Sequence, residues 1–152
     1  MPDLSFRHAE ADDLPAIVDL LADDEIGATR EDNSRPLAAD YTEAMAAITA
    51  QEGNDILVGE IDGKVVACIQ LTIIPGLARK GMKRAQIDGV RVSSRHRGKQ
   101  IGTRVFKYAI EQARDAGCGL VQLTTDIRRP DAKRFYEALG FEETHAGMKL
   151  SF

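Results

Sequence analysis

Apolar and polar positions along this chain fall into blocks whose period switches between two and about 3.6 residues, the signatures of strand and helix. Leu4-Ser5-Phe6-Arg7-His8 alternates and predicts a short strand. Leu14, Ile17, Val18 and Leu21 then fall at i, i+3, i+4 and i+7, one buried face of a helix. Asp12 or Asp13 can cap it, and Pro15 is tolerated in its first turn. The helix should fade near Gly27. Residues 22–35 carry Asp23, Asp24, Glu25, Arg30, Glu31, Asp32 and Arg35 and predict a polar loop. Pro36 opens a second helix with Leu37, Tyr41, Met45 and Ile48 on one side, ended by Gly53-Asn54.

The next blocks read as a sheet and its crossings. Asp55 to Ile61 and Lys64 to Ile74 predict two strands joined at Asp62-Gly63, where a type I′ turn needs the positive φ that Gly accepts. Pro75-Gly76 punctuates the second strand, residues 77–84 form a connection, and Ala85 to Val92 is a further strand. A helix of roughly 99–116 follows, with Ile101, Val105 and Ala109 inward, Phe106, Ile110 and Ala113 beside them, and Gly117 as its stop. Leu120 to Thr125 returns to strand, its β-branched content suiting a sheet interior. Pro130 starts a short helix with Ala132, Phe135, Tyr136 and Leu139 inward, capped by Gly140. Phe141–His145 and Met148–Phe152 predict a final hairpin around Ala146-Gly147. The order is β-α-α-β-β-β-α-β-α-β-β. With no repeat or linker to break it, it predicts one α/β domain over residues 1–152, three layers deep, with helices on both faces of a mixed sheet.

Composition narrows the chemistry. A chain of 152 residues can bury a real core, and 43% apolar content excludes wholesale disorder. Net charge is −4, which argues against nucleic-acid binding through bulk basicity; any useful positive charge is local. Cys68 and Cys118 sit in apolar contexts and read as buried free thiols, and no Cys or His spacing suits a metal, so no metal is expected. No basic stretch precedes an apolar run at the start, and no apolar run reaches membrane-spanning length. The expected setting is the cytoplasm, without a membrane or nucleic-acid partner. The open edges of such a sheet leave a homodimer as a further expectation.

The junction Arg95-His96-Arg97-Gly98-Lys99-Gln100-Ile101-Gly102-Thr103 then stands out. It leaves a strand and opens a long amphipathic helix. The first backbone N–H groups of a helix lack internal partners and the helix dipole favours negative charge there. Gly98 and Gly102 let a ligand approach the backbone, and Arg95, Arg97 and Lys99 add positive charge. A phosphate-bearing ligand fits this site.

Three segments together resemble the GNAT superfamily of acetyl-CoA-dependent N-acetyltransferases: Ile87-Asp88-Gly89-Val90-Arg91-Val92, the Arg95–Gly102 loop, and Asp131-Ala132-Lys133-Arg134-Phe135-Tyr136-Glu137-Ala138-Leu139-Gly140-Phe141. The third segment follows the family's A-x-x-F-Y-x-x-x-G-F signature, and the element order is similar to the GNAT acyl-CoA N-acyltransferase fold. In the family's loop pattern Q/R-x-x-G-x-G/A, Arg95 and Gly98 match, while Gln100 stands where a small residue is usual. Arg129 stands where the family often has Asn. The resemblance implies acetyl-CoA as co-substrate. Its pyrophosphate would be cradled by the backbone of Arg97, Gly98, Lys99, Gln100, Ile101, Gly102 and Thr103, and its pantetheine arm would pair with Val90 and Val92, with Arg91 between them.

Acetyl transfer to an amine needs a proton acceptor for the amine, a stabilised carbonyl oxygen and a proton for the departing thiolate. Tyr136 matches the family Tyr placed near the cofactor sulfur, so its phenol is the implied donor; otherwise it is a core tyrosine. Asp88 is the candidate base, because its apolar neighbours predict partial burial, which would make its carboxylate a better proton acceptor. It could instead pair with Arg84, Arg91 or a substrate cation while a water chain takes the proton. Asp23-Asp24-Glu25 reads as an amine-attracting mouth or as a solvated acidic loop. Arg79, Lys80, Lys83 and Arg84 read as a selector of anionic acceptors or as a solvated basic hairpin. His96 reads as a surface residue. Thr124-Thr125-Asp126 with Arg128-Arg129-Pro130-Asp131-Ala132 is similar to a segment of small-molecule amine acetylases, including aminoalkylphosphonate acetylases. The expected activity is direct attack of a small primary amine in a ternary complex. A peptide amine acceptor, or an acyl-CoA-binding regulator without catalysis, remains the alternative.

Overall fold

The computed structural model describes residues 3–152. Its chain is mixed α/β: β1 (Leu4–His8), α1 (Leu14–Leu21), α2 (Gly27–Arg30), α3 (Ala39–Ala50), β2 (Asn54–Ile61), β3 (Lys64–Ile74), the single turn α4 (Ala78–Gly81), β4 (Arg84–Val92), α5 (Ile101–Asp115), β5 (Leu120–Leu123) and α6 (Pro130–Ala138). The five strands form one sheet in the order β1-β2-β3-β4-β5. The β2–β3 hairpin turns at Asp62 (φ +51) and Gly63 (φ +75), the two left-handed positions that a type I′ turn requires. The chain groups into two compact units, one ending at Gln122 and the other running Leu123–Phe152.

In the first unit the two sheet faces bury different helices. On one face Val58 of β2 and Cys68 of β3 pack with Ile17 and Leu20 of α1. On the other, Phe6 of β1 stacks on Tyr108 of α5 with ring centroids 4.6 Å apart. Phe6 lies directly opposite Gly59; Ile69, Leu71 and Ile87 are buried on β3 and β4, against which α5 packs, and Leu57 of β2 is buried opposite Ile69. The inward stripe of α5 is Ile101, Val105, Phe106, Ala109 and Ala113, all buried; Ile110 is half-buried. On α1 the buried set is Leu14, Ile17, Val18 and Leu20, with Leu21 half-buried, because the helix packs against β3 and β4 and also against α3.

The structure departs from the sequence reading in several places: α3 begins at Ala39 and not Pro36, the connection 77–84 holds the turn α4, and β5 lies at the sheet edge and not in its interior. The polar stretch 22–35 contains the helical turn α2, nucleated when the Asp24 carboxylate accepts the Gly27 N–H. β5 stops at Leu123 rather than Thr125. The final hairpin is absent: Phe141–His145 and Met148–Phe152 are not strands, and Phe141 donates its N–H to the Tyr136 carbonyl at the end of α6. Alternation of Met148, Leu150 and Phe152 supplies a strand pattern but no ladder partner, and a strand exists only as a pair. Those three side chains are exposed.

Candidate functional site

The strand before the anion-binding junction is bent. Cys68 pairs with Arg91 and Gln70 with Asp88, so the single residue Ile69 faces two residues of β4, Gly89 and Val90. This is a β-bulge with glycine in the left-handed position (Gly89 φ +58), and its extra residue leaves the ladder. The Cys68 thiol lies 3.5 Å from the Gly89 carbonyl, beneath the bulge. The sequence signal for this feature is an isolated Gly within a strand pattern.

Past the bulge, Ser93 donates its N–H to Val66 and its hydroxyl accepts the Arg95 N–H, which starts a short 3₁₀ turn over Ser94–His96. Gly98 (φ +80) and Gln100 (φ +59) then take left-handed conformations, and α5 begins at Ile101. Its first backbone bond runs from Arg104 N–H to the Gln100 carbonyl. The N–H groups of Arg97 through Thr103 therefore donate to no backbone or side-chain acceptor among the described residues. A Cβ at Gly98 would meet nothing within 4 Å, so the approach to these donors is open. Arg95, Arg97, Lys99 and Gln100 are exposed around it, and His96 is half-buried with Nδ1 unpartnered, not the surface residue expected.

The acidic stretch after α1 is clamped to this junction. Asp23 accepts the Ser94 N–H at 2.8 Å, and its carbonyl accepts Arg97 Nη2 at 2.7 Å. Asp24 pairs with Arg91 Nε at 3.4 Å, both side chains largely buried. The alternative of a solvated acidic loop is thus overturned for Asp23 and Asp24, while Glu25 is exposed. These pairs join residues some seventy positions apart, and nothing local in the sequence announces them.

The other expected residues divide by location. Val90, Arg91 and Val92 lie at the bulge and just beyond it, half-buried. Asp88 is exposed, contrary to the expected burial: its apolar neighbour Ile87 points to the α5 face, and strand alternation puts Asp88 on the other. Tyr136 lies on α6 in the second unit, half-buried, edge-on to Phe135 (5.7 Å) and Phe141 (6.1 Å). Cys68 is fully buried, and desolvation pushes its thiol up to about 12, with Arg91 only partly opposing. Burial also raises the Cys118 thiol. Neither suits a nucleophile, since the thiolate is the reactive form. Among the described residues no group of three His, Cys, Asp or Glu could hold a metal, and no helix is long and apolar enough to cross a membrane.

A bulged strand running into a glycine-containing loop, with a row of free N–H groups at a helix start, is in an α/β fold a junction suited to an anionic group. The sequence profile described as "Acetyltransferase (GNAT) family" matches residues 14–141, and the chain belongs to that family. It is 45% identical over 49 residues to the aminoalkylphosphonate N-acetyltransferase of Salmonella typhimurium, which takes in 32% of each chain. It is 31% identical over 93 residues to glucosamine 6-phosphate N-acetyltransferase of Arabidopsis thaliana, covering 61% of this chain and 60% of that one. The matched stretch thus spans less than two thirds of these curated relatives. A crystal structure described as a transcriptional regulator from Bacillus halodurans C-125 superposes with a TM-score of 0.95 at 42% identity, covering 98% of this chain and 99% of that one.

Proposed function

We propose that this chain is an acetyl-CoA-dependent N-acetyltransferase that passes the acetyl group to a primary amine of a small molecule by direct attack in a ternary complex. The observation that carries this reading is the row of unpartnered N–H groups from Arg97 to Thr103 beside the bulged β4. That row fits a diphosphate, with exposed Arg95, Arg97 and Lys99 adding charge. Acetyl-CoA would supply the activated thioester. The backbone of Val90 and Val92, with Arg91 between them, would hold the pantetheine arm as an added strand, and the ladder-free N–H at the bulge would polarise the thioester carbonyl.

The amine nitrogen attacks the carbonyl carbon, the C–S bond breaks, and the electron pair leaves on sulfur. Tyr136 gives its phenolic proton to that sulfur. The amine's surplus proton goes to Asp88, directly or through water; Asp88's exposure makes the water route open to it. Direct transfer is supported by the inert state of Cys68, whose thiolate form is suppressed by burial. Cytoplasmic placement and a homodimer complete the reading.

The test is acetyl-CoA-dependent turnover across an amine library, run beside calorimetry with acetyl-CoA. Turnover of free amines supports the reading. The regulator reading draws on the described role of the Bacillus halodurans relative. Tight acetyl-CoA binding with no thiol release on any amine would establish it instead, and turnover of peptides alone would move the acceptor to protein amines.

A further inference from the structure

The sheet face that carries α1 changes character along its length. Near α1 it is apolar, through Val58 and Cys68. Farther along it turns polar. Asn54 lies opposite Thr72, Thr72 opposite Gln86, and Gln70 opposite Asp88. Directly opposed residues share a face, so these side chains form one patch. Gln70 Nε2 donates to Asn54 Oδ1 at 3.0 Å, Thr72 Oγ1 to the same oxygen at 3.3 Å, and Gln122 Nε2 to Gln86 Oε1 at 2.8 Å. Gln70 and Gln86 are half-exposed, and Gln122 and Asp88 are exposed. A sheet face in a layered α/β domain is ordinarily apolar where a helix covers it. A braced amide lattice here leaves the Gln70 and Gln122 carbonyl oxygens without donors among the described residues.

Charge on the patch is equally specific. The Asp88 carboxylate makes no hydrogen bond or ion pair among the described residues. The two cations of β4 on this face lie at its ends, away from Asp88 on the far side of the bulge or the strand start. Arg91, beyond the bulge, is paired with Asp24. Arg84, at the opposite end, has Nη1 3.4 Å from where a Cβ on Gly76 would sit. Lys83 lies by Gly117, and Arg79 and Lys80 are exposed on the α4 turn. Within the unit ending at Gln122, the stretch of the patch beside the bulge therefore carries the Asp88 carboxylate next to the amides of Gln70 and Gln86, with Ile56 opposite Gln70 as its apolar neighbour.

We propose that this patch is the floor of the acceptor site and selects a primary amine whose skeleton carries hydroxyl or amide groups and no phosphate or carboxylate. The ammonium is received at Asp88, next to the bulge where transfer would occur. The skeleton's O–H or N–H groups donate to the Gln70 and Gln122 carbonyls, and its oxygens accept from Gln86. This deepens the acetyltransferase reading and rests on it. A bare alkyl amine would leave the amides unpaired, and an anionic group would face Asp88 without a cation.

The test is calorimetry on protein saturated with CoA, titrated with glucosamine, glycinamide, hexylamine and glucosamine 6-phosphate. At least tenfold tighter binding of glucosamine or glycinamide than of hexylamine and the phosphate ester is expected. Gln86→Leu should erase about tenfold of that preference and leave CoA affinity unchanged. Gln70→Leu repeats the measurement should Gln86→Leu lower Tm. Equal affinities, preference for the phosphate ester, no binding by any of the four, or variants with unaltered preference would overturn the acceptor assignment while CoA still binds. Failure of CoA itself to bind would overturn the acetyltransferase reading and this inference together.

Discussion

Gln100 occupies a left-handed position (φ +59) immediately before α5. A Cβ there costs about 1–2 kcal/mol, of which the extra unfolded-state freedom of glycine would cancel about 0.5–1. Gln100→Gly should therefore raise the unfolding free energy by about 0.5–1 kcal/mol in urea titrations; a lower value would mean the side chain has a stabilising contact that outweighs the strain. Tyr136→Phe tests the proton donor. It keeps the edge-on packing with Phe135 and Phe141 and removes only the hydroxyl. We expect kcat to fall by about one to two powers of ten with acetyl-CoA affinity unchanged; an unaltered rate would take Tyr136 out of the chemistry.

Among the elements, the connection from α1 to α2 carries several long-range ties. Asp24 closes the turn on Gly27 and reaches Arg91, while Asp23 holds Ser94 and Arg97. A Cβ on Gly27 would lie 2.0 Å from the Leu21 carbonyl oxygen, a backbone atom with little freedom to move. Gly27→Ala should cost about 1–3 kcal/mol of stability as the turn is forced out. It should also weaken acetyl-CoA binding, because the turn braces the Arg97 loop. Thermal unfolding with and without acetyl-CoA reads both, and a fully stable variant with normal binding would separate the two loops. At this scale the helices α1, α3, α5 and α6 were legible from periodicity, as was the Asp62-Gly63 turn, since each depends on neighbours within a few residues. The bulge at Gly89 was only hinted at, because it exists in the register between β3 and β4.

For the whole molecule, Arg7 ties β1 to the turn before α1 and to the remote strand β2, with Asp13 at 2.7 Å and Glu60 at 3.2 Å. The hydrogen bonds from Arg7 hold the Asp13 carboxyl below the usual range, against the opposing effect of burial. A carboxyl lowered on folding stabilises the protein above its unfolded value, about 3.9, and that contribution disappears as pH falls through the folded value. Asp13→Asn should therefore lose about 1–2 kcal/mol at pH 7. Between about pH 5 and pH 2 its stability should fall less steeply than that of the native protein. Parallel urea titrations across that range check it, and matching slopes would assign the acid sensitivity to other groups.

The amino-acid sequence determined the helices α1, α3, α5 and α6, the strands β1 to β4, the inward stripe of α5, and the placing of residues 95–103 at a strand-to-helix junction. Each of these follows from residue type, period and the unpaired N–H groups of a helix start. Only the tertiary structure decided that Asp88 is exposed, that Asp24 neutralises Arg91, that Gln70, Gln86 and Gln122 share one face, and that the last twelve residues form no hairpin. Those outcomes depend on strand register and on contacts between positions far apart in the chain, where a shift of one residue sends every side chain to the opposite face.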